Sequence, residues 1–287
     1  MIIYTDLYNR TKNYSLPSDV INNIQKQFDV TITTDINSKA EVYWGDKLTD
    51  MHLLKMPELK WIHLSKTGFG KFNLPTHTVV TNTPESSNGV AEYAVTGVLY
   101  LLRGIDRMPL NRLAFDKHID NIIPFNQVRC LVVGHGRIGK EVNKLLTALG
   151  MQVEFVTRTV NPQLDYSKYN FIINALPLTN ETKDYFGAKI FGRMNKNSYI
   201  INVGRGETIN EHHLYEAIKS EQIRGAFLDV VKKEPINKDN KLLSLNNVYI
   251  SPHVANAMYN SVSTQVKSFT TNLEKYKNNK KLKNIIL

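Results

Sequence analysis

The chain has 287 residues, of which 42% are hydrophobic and 22% charged, with a formal net charge of +10 and one cysteine. That length holds two domains, each able to bury a core, and the composition is globular rather than disordered or fibrous. A single cysteine excludes an internal disulfide, and no stretch approaches the roughly 20 apolar residues of a membrane span. Met1-Ile2-Ile3-Tyr4-Thr5-Asp6 lacks the basic leader of a signal peptide. A cytoplasmic protein with no membrane partner is therefore expected.

Lys275, Lys277, Lys280, Lys281 and Lys283 crowd together, interleaved with asparagines, near the end of the chain. Lysines at a helix C-terminus complement its dipole, so this run reads as a solvated helix end and no nucleic-acid partner is expected. A basic protein also favours anionic ligands.

In chain order, strand-like runs fall at 2–5, 30–33, 42–44, 61–64 and 79–82, separated by helical stretches near 19–27, which Ser18 is placed to cap, and near 50–56. Strands alternating with helices imply a parallel sheet. The fourth strand runs into Leu64-Ser65-Lys66-Thr67-Gly68-Phe69-Gly70. Ligands on such sheets bind beyond the carboxyl ends of strands, so this glycine loop reads either as a substrate site or as a plain turn. A helix is expected over 90–107, with Val90, Ala91, Ala94, Val98, Leu101 and Leu102 along its apolar face. Residues 110–126 are polar and irregular and carry no chemical signal of their own.

The organising stretch follows. Cys130 to Val133 is a short apolar run enriched in β-branched residues, and Gly134, Gly136 and Gly139 form G-x-G-x-x-G at the start of a helix marked by Ile138, Val142, Leu145, Leu146 and Leu149. The first glycine permits a tight turn, the second lets a pyrophosphate approach the backbone, and the third lets helix and strand pack. Glycines at these intervals also occur in ordinary loops. Here a second strand at 152–156 completes a β-α-β unit of about thirty residues, which selects the dinucleotide reading. That strand ends in Thr157-Arg158-Thr159, and an arginine there suits a 2′-phosphate. Counting about twenty residues from the first glycine lands instead on Glu154, inside the strand, so NADP(H) is favoured over NAD(H).

Further strands are expected at 171–175, 198–203, 226–230 and 248–251, with helices at 207–220 and around 185–192, and a closing helix at 256–276 that returns to the first domain. The expected fold is α/β with two domains. Residues 96–255 form a Rossmann-type doubly wound parallel sheet that binds the dinucleotide, and residues 1–95 with 256–287 form a discontinuous substrate-binding domain.

Three polar residues lie just past strand ends, where a cofactor at the glycine loop would present its reactive ring: Arg205, Glu234 and His253. Arginine grips a carboxylate with two bonds, histidine titrates near neutrality, and a carboxylate beside it favours imidazolium. This set suits reduction of a 2-oxo acid. Taken singly, each also reads as an ordinary surface, loop or turn residue. No metal site is expected, since His212 and His213 are adjacent on a helix and face different ways and no Cys/His spacing suits zinc. Cys130 has no activating base in its sequence context.

The order and spacing of Asn202-Val203-Gly204-Arg205-Gly206, Gly225-Ala226-Phe227-Leu228-Asp229-Val230 through Glu234-Pro235, and Ser251-Pro252-His253 resemble the signatures of the D-isomer-specific 2-hydroxyacid dehydrogenases. Val90-Ala91-Glu92-Tyr93, the Gly-x-Gly-Arg-Ile-Gly loop, and Leu176-Pro177-Leu178-Thr179 with Glu181-Thr182 add to the likeness. The resemblance implies a flavodoxin-like substrate domain and a reductase in the manner of glyoxylate and hydroxypyruvate reductases, acting on a small 2-oxo acid. It implies that Arg205 binds the substrate's carboxylate and carbonyl, that His253 is the acid/base, and that Glu234 holds its imidazole. Thr67, Gly68 and Phe69 would clamp the substrate carboxylate through their backbone. Arg137 and Ile138 would give N–H groups to the pyrophosphate, Val203 and Gly204 would line the nicotinamide, and Asp229 would approach its carboxamide. Leu176, Pro177 and Thr182, with Thr157, Arg158 and Thr159 at the ribose end, complete the implied cofactor site. A homodimer is implied, with the region around 110–126 as a subunit-contact arm. Gly70 stands where family loops often carry Asp. The alternatives are a dinucleotide-sensing, corepressor-like binding protein and an NAD-dependent dehydrogenase of the phosphoglycerate type working toward oxidation.

Overall fold

The computed structural model describes residues 1–7, 15–65, 73–105, 122–157, 164–257 and 261–287. The chain divides into two compact units, Met1–Ser86 with Ala257–Leu287, and Ser87–Asn256. The division falls at the start of a helix, whereas the sequence spacing places it within that helix, at 95/96.

In the first unit, β1 (Ile2–Thr5), β2 (Thr31–Thr33), β3 (Ala40–Gly45), β4 (Trp61–Leu64) and β5 (Val79–Asn82) form a parallel sheet in the order β2-β1-β3-β4-β5. Every residue of β4 is buried, as expected for a strand covered on both faces. Helix α1 (Ser18–Phe28) packs Ile21 and Ile24 inward; its N-cap is Pro17, with no side-chain cap, so Ser18 is a first-turn residue and not the expected cap. Helix α2 (Asp50–Lys55) does have a side-chain cap, Thr49 in a capping box with His52. The last helix of the chain, α7 (Ser261–Lys277), belongs to this unit because its Phe269 ring stacks 4.0 Å from Trp44 and 5.4 Å from Trp61. The C-terminal residues then run antiparallel along β5, with Val80 donating to Leu287 and Ile286 to Val80 at 2.9 and 2.8 Å. That pairing covers a sheet edge that would otherwise expose unpaired backbone groups.

The second unit begins with α3 (Ser86–Leu102). It starts earlier than the apolar spacing suggests and stops short of 107, in a turn at Gly104, whose φ of 65° suits glycine. There follow β6 (Arg129–Val133), α4 (Arg137–Ala148), β7 (Gln152–Val156), β8 (Phe171–Asn174), α5 (Ala188–Phe191), β9 (Tyr199–Asn202), α6 (Glu211–Lys219), β10 (Gly225–Leu228) and β11 (Val248–Ile250). The parallel sheet runs β11-β10-β9-β8-β6-β7, with one apolar core on each face. From β6 the chain winds out to β7 and then returns to the other side as β8, so the strand order reverses between β6 and β8. Ligands bind at such a switch point. Helix α6 starts four residues later than expected because residues 206–208 form a tight 3₁₀ turn and Asn210 caps the helix, accepting from the His213 N–H at 3.1 Å.

Candidate active site

The glycine loop leaves β6 at the switch point, and its three glycines meet three different demands. Gly134 has φ +111°, and a Cβ there would lie 2.7 Å from the Ala175 carbonyl oxygen. At Gly139 a Cβ would come within 1.9 Å of the Gly134 carbonyl oxygen, so helix and loop touch backbone to backbone. Around Gly136 nothing lies within 4 Å of that position. The middle glycine thus faces open space, the approach a pyrophosphate needs. Gly136 is also the N-cap of α4 and, lacking a side chain, puts no cap of its own over the N–H groups of the first turn, where a helix favours an anion. This loop fits a dinucleotide.

Beyond the loop, β7 ends at Val156 and Thr157 is exposed. The Glu154 carboxylate accepts the Tyr169 hydroxyl at 2.8 Å, so it is already engaged beside the sheet. Arg158 and Thr159 lie outside the described residues, as do Thr67, Gly68 and Phe69 of the expected substrate clamp.

On the carboxyl side of β9, β10 and β11, Arg205, Glu234 and His253 line one cavity of about 210 Å³ together with Gly206, Glu207, Val230, Val231 and Lys232. The His253 Nδ1 lies 2.7 Å from Glu234 Oε2, and the other Glu234 oxygen accepts the Val231 N–H at 3.3 Å. Among the described residues, Nε2 has no hydrogen-bond partner. His253 has φ 56°, an uncommon backbone conformation for a non-glycine residue, and its N–H donates to the carbonyls of Asp229 and Ser251. Arg205 is half-buried, and its Nη1 donates to the Gly204 carbonyl at 2.7 Å. Among the described residues its guanidinium meets no carboxylate.

Two residues expected to touch the cofactor also tie turns together with their side chains. Asp229 is buried, and its carboxylate accepts from Ser251 Oγ at 2.7 Å, Val254 N–H at 2.8 Å and Ala255 N–H at 3.0 Å. It holds the turn that presents His253. Thr182 is fully buried; its hydroxyl donates to the Pro177 carbonyl at 2.6 Å and accepts the Thr179 N–H at 2.7 Å, so it closes the 177–182 turn. Leu176 and Val203 are buried beside the switch point, and a Cβ on Gly204 would lie 2.7 Å from the Leu176 carbonyl oxygen. Polar residues beneath the site that motif reading passes over are Asn174, Thr208 and Glu211. Glu211 accepts the Lys232 N–H at 2.6 Å and the Asn240 side-chain amide at 2.9 Å, bracketing the loop that carries Glu234. Among the described residues no three His, Cys, Asp or Glu side chains cluster to hold a metal, and no helix is long and apolar enough to cross a membrane.

A doubly wound parallel sheet, a dinucleotide loop at its switch point and a histidine–carboxylate pair in one cavity with an arginine define a nicotinamide-dependent oxidoreductase. Residues 114–255 match the family model for the D-isomer specific 2-hydroxyacid dehydrogenase NAD binding domain. The chain is 27% identical over 289 residues to glyoxylate/hydroxypyruvate reductase B of Cronobacter sakazakii, an alignment covering 85% of this chain and 87% of that one. Two solved structures share the fold. The NADPH-dependent glyoxylate/hydroxypyruvate reductase of Sinorhizobium meliloti, in complex with NADP, superposes with a TM-score of 0.82 at 19% identity, over 99% and 98% of the two chains. The D-isomer specific 2-hydroxyacid dehydrogenase of Lactobacillus delbrueckii, complexed with NAD, gives 0.76 at 22% identity, over 100% of each. The chain belongs to the D-isomer specific 2-hydroxyacid dehydrogenase family, and it is an NAD(P)-dependent oxidoreductase.

Proposed function

We propose that this protein reduces a small 2-oxo acid to the D-2-hydroxy acid with NADPH, in the manner of the glyoxylate and hydroxypyruvate reductases it resembles. The observation that carries the reading is the single cavity lined by Arg205 and by the paired Glu234 and His253. Bound nicotinamide supplies the hydride. The chain's own residues do the rest. Arg205, free of any carboxylate among the described residues, offers its planar fork to the substrate carboxylate and fixes C2 against the ring. Glu234 holds Nδ1 of His253, so Nε2 faces the carbonyl and delivers the proton that reduction consumes. The Asp229 carboxylate holds the turn, and Val230 and Val231 supply apolar wall.

The loop at Gly134, Gly136 and Gly139 carries the pyrophosphate, with N–H groups from Arg137 and Ile138. Arg158, directly after exposed Thr157, reads the 2′-phosphate, and the tie of Glu154 to Tyr169 supports that choice over a ribose-binding acid. We assign substrate binding to the first unit through the backbone of Thr67, Gly68 and Phe69, and nucleotide binding to the second. A homodimer in the cytoplasm is the form we expect, the compartment because one buried cysteine calls for no oxidising environment. The intact Arg205, Glu234 and His253 set argues against a corepressor-like role.

A spectrophotometric panel of glyoxylate, hydroxypyruvate, pyruvate and branched 2-oxo acids, each with NADPH and with NADH, tests the proposal. Turnover of at least one small acid with NADPH preferred is expected. Tight dinucleotide binding with no turnover of any would refute the enzymatic reading.

A further inference from the structure

Beneath Arg205 lies a polar cluster to which the reading above gives no part. The parallel register of β8 and β9 sets Asn174 beside Asn202 at the carboxyl ends of the two strands. Both side chains are buried, as is Thr208 in the 3₁₀ turn that follows Arg205. Their bonds close on one another. The Asn174 amide donates to Asn202 Oδ1 at 2.8 Å and to Thr208 Oγ1 at 2.6 Å, while its Oδ1 accepts the Leu176 N–H at 3.1 Å. Asn202 Oδ1 also accepts the Gly204 N–H at 3.0 Å. What remains converges on one atom: the Thr208 hydroxyl at 2.5 Å and the Asn202 amide at 3.3 Å both donate to the Arg205 carbonyl oxygen.

Every hydrogen-bonding atom of the three side chains is thus used. Such a network is stable only when complete, because each orphaned buried group carries its desolvation penalty. We propose that Asn174, Asn202 and Thr208 form a positioning network for Arg205, fixing its main chain so that only its side-chain torsions remain free when it meets a substrate carboxylate. Through the Leu176 and Gly204 N–H groups the same asparagines set the backbone of the nucleotide side, but among the described residues the Thr208 hydroxyl bonds only to Asn174 and to Arg205. Thr208 is therefore the member whose loss loosens the arginine selectively. This inference rests on Arg205 being the carboxylate anchor.

The test compares Thr208→Val, which keeps the shape and removes the hydroxyl, with Thr208→Ser, which restores it, and with Arg205→Ala, alone and combined with Thr208→Val. Should the valine variant not fold, Thr208→Ala removes the same hydroxyl. Thr208→Val is expected to raise KM for the 2-oxo acid about 10-fold, the usual effect of stranding a buried polar group, with kcat changed less than KM. NADPH affinity, read by nicotinamide fluorescence, should stay within about 2-fold, since the hydroxyl touches no group of the nucleotide loop. Thr208→Ser should recover the wild-type KM, and in the Arg205→Ala background Thr208→Val should add nothing to KM. A lowered melting temperature with unchanged KM would make the network merely structural and overturn the proposal. So would a KM effect that persists without Arg205. If Arg205→Ala itself leaves KM unaltered, the anchor role fails first and the positioning role fails with it.

Discussion

The glycine loop allows two alanine substitutions three residues apart to be told apart in advance. At Gly136, φ is −80° and ψ −169°, ordinary extended backbone, and a methyl group would meet nothing within 4 Å. Alanine there should leave folding stability unchanged or raise it by about 0.4–1 kcal/mol through the unfolded chain. It would, however, put a methyl where the pyrophosphate must reach backbone N–H groups. Losing one charge-assisted bond of about 1.5–3 kcal/mol weakens dinucleotide binding roughly 10- to 150-fold. At Gly139 the methyl would lie 1.9 Å from the Gly134 carbonyl oxygen and 3.1 Å from its carbon. Backbone must move, and overpacking of this kind costs about 1–3 kcal/mol or more. Urea unfolding of the apo variants, paired with NADPH titration followed by nicotinamide fluorescence, separates the two effects. Wild-type NADPH affinity in Gly136→Ala would refute the pyrophosphate reading, and equal destabilisation of both variants would refute the packing argument.

Replacing His253 with Ala should lower turnover about 10²- to 10⁴-fold while NADPH still binds, and unchanged turnover would remove the imidazole from the mechanism. Arg158→Ala should cut the NADPH-to-NADH ratio of kcat/KM by roughly 10- to 150-fold, the worth of one charged hydrogen bond; an unaltered ratio would transfer the 2′-phosphate to other residues. His63 is wholly buried between Thr81 and Thr83, and burial pushes its imidazole down to about 3. Its folded value lies below its unfolded one, so the unfolded chain takes up the proton first as the pH falls. The contribution of His63 is complete above about pH 6.5 and declines toward pH 3 at about 1.4 kcal/mol per pH unit. Urea unfolding at pH 7 and pH 5 should show a drop of about 2 kcal/mol from this residue that His63→Gln abolishes. The same drop in both proteins would assign the effect elsewhere. Burial pushes the Cys130 thiol up to about 12, so the native protein should resist thiol reagents at pH 8 and react once unfolded; labelling of the native state would contradict its place in β6.

What the sequence discloses depends on how local the physical cause is. The strand at Cys130 to Val133, the three glycines and the helix after them are contiguous, and each demand on a glycine is made by the backbone within a few residues or by the adjoining strand. Asn210 was equally local as a cap, but Glu207, Thr208 and Glu211 are polar on both sides of it and hide where the 3₁₀ turn gives way to α6. Arg205, Glu234 and His253 were legible for another reason: parallel strands put their carboxyl ends on one side, so residues just past those ends converge whatever lies between them. In the structure all three line one cavity.

The hydrogen bonds of Asp229 and Thr182 were harder to read because motif position says that a polar side chain stands near a site and nothing about where its atoms point. Asp229 follows a buried strand directly, and a carboxylate held that deep must find donors. The nearest are the N–H groups of the turn after β11, brought alongside by the pairing of Ala226, Phe227 and Leu228 with Val248, Tyr249 and Ile250. Asn174 and Thr208 obey the same logic across β8 and β9, where a register set by apolar neighbours decides which amides meet. The side chains that would touch substrate therefore follow from chain direction alone, whereas those that hold them in place follow from register, which no single segment contains.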